Sequence, residues 1–203
     1  MKICSVNGCI RKHQAKGYCK KHYQQVYLNG KILERTNKDM NEYWFENNIC
    51  YIQIYGKGNE KKCVAEIDLE DYERVKDYKW YVKEKNYVYN CKLGRLSRYL
   101  LGITNPKLDT DHEDHDTLNN RKYNIRPCTR TQNNANRNKR KDNTSGYKGV
   151  MWCARDKRWI TQIGINGQLV HLGSYTDKRE AAKRYNKEAY KLWGNFAVLN
   201  KVL

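Results

Sequence analysis

The organisation of this chain is most easily deduced from the stretch TDHEDHDTLNNRKYN, Thr110–Asn124, and from the IRPCTRTQNNANR that follows it. The first segment packs three Asp, two His and three Asn into fifteen residues, with almost no apolar side chain. We expect a strand that ends near Asp111 and His112, then a polar loop. A second strand over residues 125–129 and a helix over residues 130–137 should follow.

Asp111 and His112 are the residue types that phosphodiester hydrolysis requires. That reaction needs a cation beside the phosphate and a base that takes a proton from water. A carboxylate is a hard oxygen ligand, and an imidazole with an unperturbed pKa of about 6.5 is a usable base at neutral pH. Adjacent residues of a regular strand point to opposite faces, so the two side chains converge only at a strand end. Otherwise Asp114, which would share a face with His112, is the alternative ligand.

The expected helix presents a polar face. Arg130, Asn133, Asn134 and Arg137 recur at spacings of three and four residues, so they should lie on one side of it. Their two guanidinium groups are suited to binding phosphates beside an amide oxygen that can ligate a cation. The remaining polar loop residues are expected to be solvated, or to close the loop through hydrogen bonds to its backbone. These residues are His115, Asp116, Asn119 and Asn120.

The charge of the chain favours a polyanionic partner. It carries 40 Lys and Arg against 22 Asp and Glu, a formal net charge of +18, which makes nucleic acid the first partner to consider. A mean hydropathy of −1.03 argues against one large core and favours several small modules. The 17 Tyr and five Trp argue against a disordered chain. No apolar run suggests a signal peptide or a membrane span.

The first thirty residues contain a metal-binding pattern. Cys4, Cys9, Cys19 and His22 form two pairs with short internal spacing, which is typical of tetrahedral zinc sites. So short a segment cannot bury enough surface to fold alone, so a bound Zn²⁺ would stabilise it. The other five of the eight Cys are scattered singly along apparent strands, as reduced intracellular thiols usually are.

Three further segments complete the organisation. Residues 45–108 alternate apolar and polar in short runs, which predicts strands with two short helices. Residues 138–145 are polar, basic and rich in Asn, and are expected to be a linker that can lie along phosphates. Residues 146–203 predict three antiparallel strands, with a hairpin at Asn166-Gly167, backed by one amphipathic helix. The fold class is therefore α+β, in small modules. The expected units are 1–30, 45–137, the linker 138–145, and 146–203.

Residues 63–137 closely resemble the HNH homing endonucleases of phages and introns, which have a ββα-metal nuclease core. The matching positions are Asp111-His112-x-Asp114-x-Asp116-x-Leu118-x-Asn120-Arg121-x-x-Asn124-Ile125-Arg126 and Thr129-x-x-Gln132-Asn133-x-x-Asn136. The resemblance implies that Asp111 and Asn133 ligate Mg²⁺ or Mn²⁺ and that His112 is the general base. It also implies that Asn124 orients the histidine and braces the loop. Ser97 and Glu113 depart from the family pattern, where His and an apolar residue are usual.

Residues 146–203 resemble an AP2 domain, a three-stranded sheet with one helix whose sheet enters the major groove of DNA. The matching positions are Tyr147-Lys148-Gly149-Val150, Trp159, Leu172-Gly173-x-Tyr175 and Glu180-Ala181-Ala182-x-x-Tyr185. Candidate DNA-binding residues lie in this unit, in the linker and in the nuclease-like segment. They are Arg126, Arg130, Arg137, Lys139, Arg140, Lys141, Lys148, Trp152, Arg155 and Arg158, with Gln162 as a further candidate.

The expected function is that of a metal-dependent endonuclease of HNH type. Its partner would be double-stranded DNA, with no membrane, and it would act as a monomer. It would work in the cytoplasm, that of the host cell if a phage encodes it. One alternative is a non-catalytic, sequence-specific DNA-binding regulator that uses residues 146–203. A third possibility is a protein that binds RNA.

Overall fold

The computed structural model describes residues 2–33, 35, 39–56, 60–83 and 86–202. The architecture is mixed α/β and contains several small antiparallel sheets rather than one large one. No helix within these described ranges is both long enough and apolar enough to cross a membrane.

The N-terminal unit consists of tight turns followed by one helix. Isolated bridges pair Ile3 with Lys12 and Ala15 with Tyr18, and helix α1 spans Lys20–Asn29. Gly17 adopts a φ of +85°, and a Cβ there would lie 3.2 Å from Ser5 Oγ. A glycine is therefore needed where the chain turns towards the helix.

A three-stranded meander forms the main sheet of the central unit. Its strands β1 (Glu42–Glu46), β2 (Ile49–Tyr55) and β3 (Lys61–Asp68) are ordered β1-β2-β3. Its inward residues are fully buried: Cys50, Ile52, Ile54, Ala65 and Ile67. The short helix α2 (Tyr72–Val75) follows. Because β1 begins at Glu42, this unit starts before residue 45.

A second small sheet and a helix extend the same core. Strands β4 (Tyr81–Val82), β5 (Val88–Asn90) and β6 (Gly94–Arg95) lie in the order β4-β5-β6, and helix α3 (Leu96–Leu100) follows. Trp80 and Leu96 are fully buried, so this sheet shares the hydrophobic core of the meander.

The strand, loop, strand and helix expected from the polar stretch are present. Strands β7 (Asp109–His112) and β8 (Ile125–Cys128) pair in antiparallel fashion, and helix α4 (Arg130–Ala135) follows. Thr129 and Gln132 form a reciprocal capping box at the start of this helix. The helix ends at Ala135, two residues earlier than expected.

The loop between β7 and β8 is bound to the main sheet. Glu66 on β3 donates its backbone N–H to Leu118 O at 2.9 Å, and Asn120 donates its own to Glu66 O at 2.8 Å. These two bonds make a short parallel bridge between β3 and the loop. The loop is therefore held in place by residues more than fifty positions away.

The C-terminal unit is the predicted three-stranded sheet with one helix. Strands β9 (Val150–Cys153), β10 (Arg158–Ile165) and β11 (Gln168–Tyr175) are ordered β11-β10-β9, and helix α5 spans Lys178–Trp193. The expected hairpin at Asn166-Gly167 has φ values of 51° and 84°. Both lie in the left-handed region that tight hairpins require.

Helix α5 packs on this sheet through small residues and one tyrosine. Ala181, Ala182 and Ala189 are fully buried, and the ring of Tyr185 lies over Gly149. A Cβ on Gly149 would lie 2.1 Å from that ring, so only glycine fits beneath it. This contact explains why the helix and the start of β9 pack so closely.

Candidate active site

Asp111 and His112 are the last two residues of β7, and each is only 4% exposed. Both line a cavity of about 770 Å³, and Asn133 from α4 lines it too. His112 is the residue at which the strand turns into the loop. The two adjacent side chains therefore reach the same cavity instead of diverging, as expected for a strand end.

The carboxylate of Asp111 is held by side chains from two other elements. Its Oδ1 accepts from Asn136 Nδ2 and its Oδ2 accepts from Arg126 Nε, both at 2.9 Å. Asn136 Nδ2 also donates to the backbone oxygen of His112 at 2.9 Å. Asn136 thus fixes both site residues, a role that sequence reasoning missed. Its place three residues after Asn133, in the family motif, was the available signal.

The ring orientation of His112 is determined by Asn120. Asn120 Nδ2 donates to Thr117 O and Leu118 O, so its Oδ1 faces His112 Nε2 at 3.2 Å. An amide oxygen can only accept, so Nε2 carries the ring proton and Nδ1 carries the lone pair. Burial lowers the pKa of His112 below its ordinary value, although Asn120 and neighbouring carboxylates oppose the shift. The ring is therefore neutral near pH 7, with Nδ1 as its basic atom.

Asn124 braces the loop but does not contact the His112 ring. Its Nδ2 donates to Asp114 Oδ1 at 2.9 Å and to Asn119 O at 2.8 Å, and its Oδ1 accepts from the backbone of Asp114. The contact with the histidine expected of Asn124 is made by Asn120 instead. Asp114 is held within the loop by these amides and does not line the cavity. Asp114 is therefore not positioned as the alternative ligand.

His115 is exposed on the loop, as the sequence predicted, and it also contacts the end of α4. Its Nε2 contacts Asn136 Oδ1 at 3.1 Å, and its Nδ1 lies 3.1 Å from Asn138 Nδ2. His115 adopts a φ of +68°, and with Asp116 it lines the cavity. It attaches the loop to the end of α4, which completes that side of the cavity.

The oxygen donors on the cavity wall fit a hard divalent cation such as Mg²⁺. Each carboxylate oxygen has two lone pairs, so Asp111 retains acceptor capacity beyond its bonds to Arg126 and Asn136. Asn133 Nδ2 points to Asp109 Oδ2 at 3.4 Å, which leaves the amide oxygen of Asn133 as a potential ligand. One carboxylate and one amide oxygen suit Mg²⁺, which keeps several waters and binds phosphate oxygens.

The N-terminal Cys/His cluster has the geometry of a metal centre. The ligand atoms of Cys4, Cys9, Cys19 and His22 all lie within 4.8 Å of one another. Cys4 Sγ is 3.1 Å from His22 Nδ1, and Cys9 Sγ is 4.0 Å from Cys19 Sγ. Burial lowers the pKa of His22, with help from Lys21 and Arg11, which keeps the imidazole in the neutral form that binds metals. The four side chains could hold a structural metal such as zinc.

The chain resembles one viral protein over most of its length. It is 28% identical over 179 residues to an uncharacterized HNH endonuclease of Acanthamoeba polyphaga mimivirus, an alignment that covers 85% of this chain and 92% of that protein. The similarity supports an HNH-type nuclease. No protein-family model matches the chain. No solved structure matches it either.

Arg126, expected at DNA, is instead engaged inside the protein. Besides Asp111, its guanidinium donates to Glu113 Oε2 at 3.1 Å and to Asn195 O at 3.3 Å, and it lies 4.0 Å from the Phe196 ring centroid. Glu113, one of the two departures from the family pattern, is thus a partner of Arg126. Arg126 joins the site to the segment that follows α5.

The second departure, Ser97, also has a structural partner. Its hydroxyl lies 2.8 Å from Thr110 Oγ1, and both residues are buried. The pair joins α3 to β7 immediately beside Asp111. A hydroxyl at this position therefore supports the strand that carries the site.

Lys148 also differs from its expected position at DNA, while Trp152 is exposed. Lys148 Nζ donates to Ala135 O at 2.6 Å and to Arg137 O at 2.5 Å, so the ammonium binds the carbonyls at the end of α4. Burial lowers its pKa to about 8. Trp152 pairs with Trp159 across the sheet, with their ring centroids 5.0 Å apart, and it remains 44% exposed. Lys148 is therefore engaged inside the protein, whereas Trp152 stays accessible.

The other candidate DNA-binding residues are exposed. Arg158 pairs with Cys153 on the sheet face opposite α5, the same face as Gln162. Some form local contacts: Lys139 with Gly146 O, Arg140 with Asp142, and Arg155 with Asp156. Arg137 lines the active-site cavity, beyond the end of α4. The exposed set is Arg130, Arg137, Lys139, Arg140, Lys141, Arg155 and Arg158.

Proposed function

We propose that this chain is a metal-dependent DNA endonuclease of HNH type, with the mode of action of a homing endonuclease. The observation that carries the proposal is the pairing of Asp111 and His112 at the wall of a polar cavity, with the Nδ1 lone pair of His112 available. A neutral, buried imidazole beside a carboxylate and an amide oxygen suits hydrolysis of a phosphodiester at neutral pH. The net charge of +18 suits a nucleic-acid substrate.

In the proposed reaction His112 is the general base. The oxygen of a water molecule forms a bond to phosphorus while its proton passes to His112 Nδ1. The bond between phosphorus and the 3′ oxygen breaks, and the leaving oxygen takes a proton from solvent. A divalent cation held by Asp111 and Asn133 would offset the negative charge on the phosphate. Asn120 holds the ring with Nε2 protonated, and Asn124 braces the loop from which Asn120 projects.

Contact with DNA outside the cavity is assigned to the exposed basic residues. Arg130 and Arg137 lie beside the site, and Lys139, Arg140 and Lys141 form the connection to the C-terminal unit. Their contacts are expected to be with phosphates, which position the duplex without reading its sequence. Arg158 and Gln162, on the open face of the C-terminal sheet, are the proposed sequence-reading residues, in the manner of an AP2 domain.

A non-catalytic DNA-binding protein is the second candidate, and the ion pair of Asp111 with Arg126 favours it. A carboxylate already paired with a guanidinium is a weaker ligand for a metal cation. In that case the central unit would serve as a scaffold for the basic surface.

A nicking assay on supercoiled plasmid separates the two candidates. The endonuclease proposal predicts cutting by the wild-type chain with Mg²⁺ or Mn²⁺, none with EDTA, and a loss of roughly a hundredfold or more for His112→Ala. An electrophoretic shift assay of the same variant serves as its control, because DNA binding should be retained. If the wild-type chain binds plasmid but does not nick it with either metal, the endonuclease proposal fails and the DNA-binding candidate stands.

A further inference from the structure

One wall of the active-site cavity is made by the small sheet β4-β5-β6, for which the sequence suggested no chemistry. Tyr81 and Val82 on β4 pair with Tyr89 and Val88 on β5, and Tyr89 pairs with Arg95 on β6. Successive strand residues alternate between faces. The valines are packed in the hydrophobic core, while the tyrosines and the arginine share the opposite face.

That opposite face turns towards the proposed catalytic residues. Lys83, Tyr87, Tyr89 and Arg95 line the same cavity as Asp111 and His112. We name these four residues the tyrosine wall. The ring centroid of Tyr87 is 5.9 Å from that of His112, so the wall begins directly beside the general base.

Cations and aromatic rings alternate within the tyrosine wall. Lys83 Nζ lies 4.1 Å from the ring centroid of Tyr89, and the guanidinium of Arg95 lies 4.3 Å from that of Tyr87. Arg95 also pairs with Asp109 Oδ1 at 3.2 Å, which attaches the wall to β7. Rings beside cations form the surface on which proteins bind unpaired bases, because rings and guanidinium planes stack on bases while the charges attract phosphates.

Core packing does not account for these tyrosines. Tyr87 and Tyr89 are only partly buried, and neither belongs to the hydrophobic core that takes Val88 between them. The cavity volume of about 770 Å³ lies within the roughly 300–1,000 Å³ range of small-molecule sites, so it can admit a nucleotide.

The depth of the site gives a reason for such an occupant. Asp111 and His112 are almost wholly buried, so a phosphate that reaches them must leave the duplex surface and enter the cavity. The nucleoside attached to that phosphate must follow it. A base that leaves the helix loses the stacking free energy of its contacts with neighbouring bases. Stacking on a new aromatic surface offsets that loss.

We propose that the tyrosine wall is a nucleotide subsite that binds one unpaired nucleotide of the DNA strand beside the scissile phosphate. Its base lies against the rings of Tyr87 and Tyr89, and its phosphate lies against Lys83 and Arg95. The placement beside a scissile phosphate rests on the proposed endonuclease function. The binding of an unpaired base does not, so it can be tested without cleavage.

The test compares two fluorescent strands of equal length without added Mg²⁺ or Mn²⁺, one of oligothymidine and one with abasic sites throughout. Both have the same phosphates, so the ratio of their dissociation constants, measured by anisotropy on the full chain, isolates the base contacts. We expect Tyr87→Leu and Tyr89→Leu to lower the preference for oligothymidine by about fivefold or more, the lower end of base–aromatic stacking. Tyr87→Phe and Tyr89→Phe keep the ring and should retain it. The subsite proposal would be overturned if the Leu variants have the melting temperature of the wild-type chain and also keep its preference for oligothymidine over the abasic strand.

A measurement on the wild-type chain covers the case in which the Leu variants do not fold. A strand containing 5-iododeoxyuridine is irradiated in complex with the protein, and the crosslinked peptides are identified by mass spectrometry. Crosslinks at Tyr87 or Tyr89 support the subsite, whereas crosslinks confined to other units contradict it. Plasmid nicking by the same preparation separates the two proposals. If the chain nicks plasmid but forms no crosslink at Tyr87 or Tyr89, only the subsite proposal fails. If it forms such a crosslink but does not nick plasmid, only the endonuclease proposal fails.

Discussion

The Cys/His cluster near the N-terminus and the site at Asp111 are both candidate metal centres, but they are built in opposite ways. The cluster draws all four ligand atoms from residues 4–22 and has hardly any apolar core around it. The site at Asp111 takes its groups from β7, from α4 and from the loop between β7 and β8, on a scaffold with its own buried core. A metal should therefore be structural in the first and chemical in the second.

The largest expected effect is that of removing a ligand from the cluster. Cys19→Ser should abolish metal binding there and unfold residues 2–30, because metal binding supplies roughly 10–16 kcal/mol to zinc-finger peptides. Metal analysis and amide hydrogen exchange measure both effects. The central unit should keep its protection. Asp111→Asn is the matched change at the other site, and it should leave all units folded. Unfolding of the central unit by Asp111→Asn would break the contrast.

The next effect concerns the histidine tautomer. Asn120→Ala removes the acceptor of His112 Nε2–H, so the ring can rotate or place its proton on Nδ1. We expect plasmid nicking to fall about ten- to a hundredfold, as it does when groups that orient catalytic ligands are removed. Asn120→Asp keeps an acceptor for Nε2–H but loses the amide donors to Thr117 O and Leu118 O, so its nicking rate should lie between those of Asn120→Ala and the wild-type chain. An Asn120→Ala chain that nicks at the wild-type rate would show that another group orients the ring.

A third prediction concerns the contact between the central and C-terminal units. Lys148 has a pKa of about 8 in the folded chain, below the ordinary value of 10.5. Between these values the unfolded chain binds the additional proton, so this group makes folding more favourable as pH rises. The unfolding free energy of the wild-type chain should therefore increase between pH 7 and pH 10 by about 1–2 kcal/mol more than that of Lys148→Met. This figure allows for the partial exposure of the amine. Urea denaturation of both chains at both pH values measures the difference. An unchanged difference would contradict the buried position of the ammonium.

The smallest expected effect is on metal affinity at Asp111. Arg126→Gln removes the cation that pairs with this carboxylate, and the freed charge should bind Mn²⁺ more tightly, by several-fold. Isothermal titration of a Cys19→Ser background, from which the cluster site has been removed, isolates the Asp111 site. Arg130→Gln, on the same unit but outside the network, is the control. Weaker Mn²⁺ binding by Arg126→Gln would mean that the guanidinium positions Asp111 more than it competes with the metal.

Elements with a strong local signal could be predicted from the sequence. The hairpin at Asn166-Gly167 and the start of α4 at Arg130 each depend on residues only a few positions apart. The end of α4 was predicted two residues too late, because the Asn residues that follow Ala135 are polar enough to continue the pattern. They instead make tertiary contacts: Asn136 holds Asp111, and Asn138 contacts His115.

Side chains whose roles depend on distant partners were the ones that sequence reasoning misplaced. Lys148 and Arg126 are basic residues in a basic chain, and nothing local distinguishes them from phosphate contacts. Their partners, the carbonyls at the end of α4 and the carboxylate of Asp111, lie 11 to 15 residues away in the chain. The sequence likewise did not assign the tyrosines of the small sheet to the cavity, because alternation alone does not say which of the two faces of a sheet is covered.

The sequence by itself determined the metal-binding pattern near the N-terminus, the ββα order around Asp111 and the architecture of the C-terminal unit. Spacing, alternation and turn residues act over a few positions, so one dimension is enough to recognise them. Only the tertiary structure decided which amide holds His112, which arginine pairs with Asp111, and that a face of tyrosines and cations lines the cavity opposite. These depend on hydrogen bonds and burial between segments brought together by folding, and no local pattern encodes that proximity.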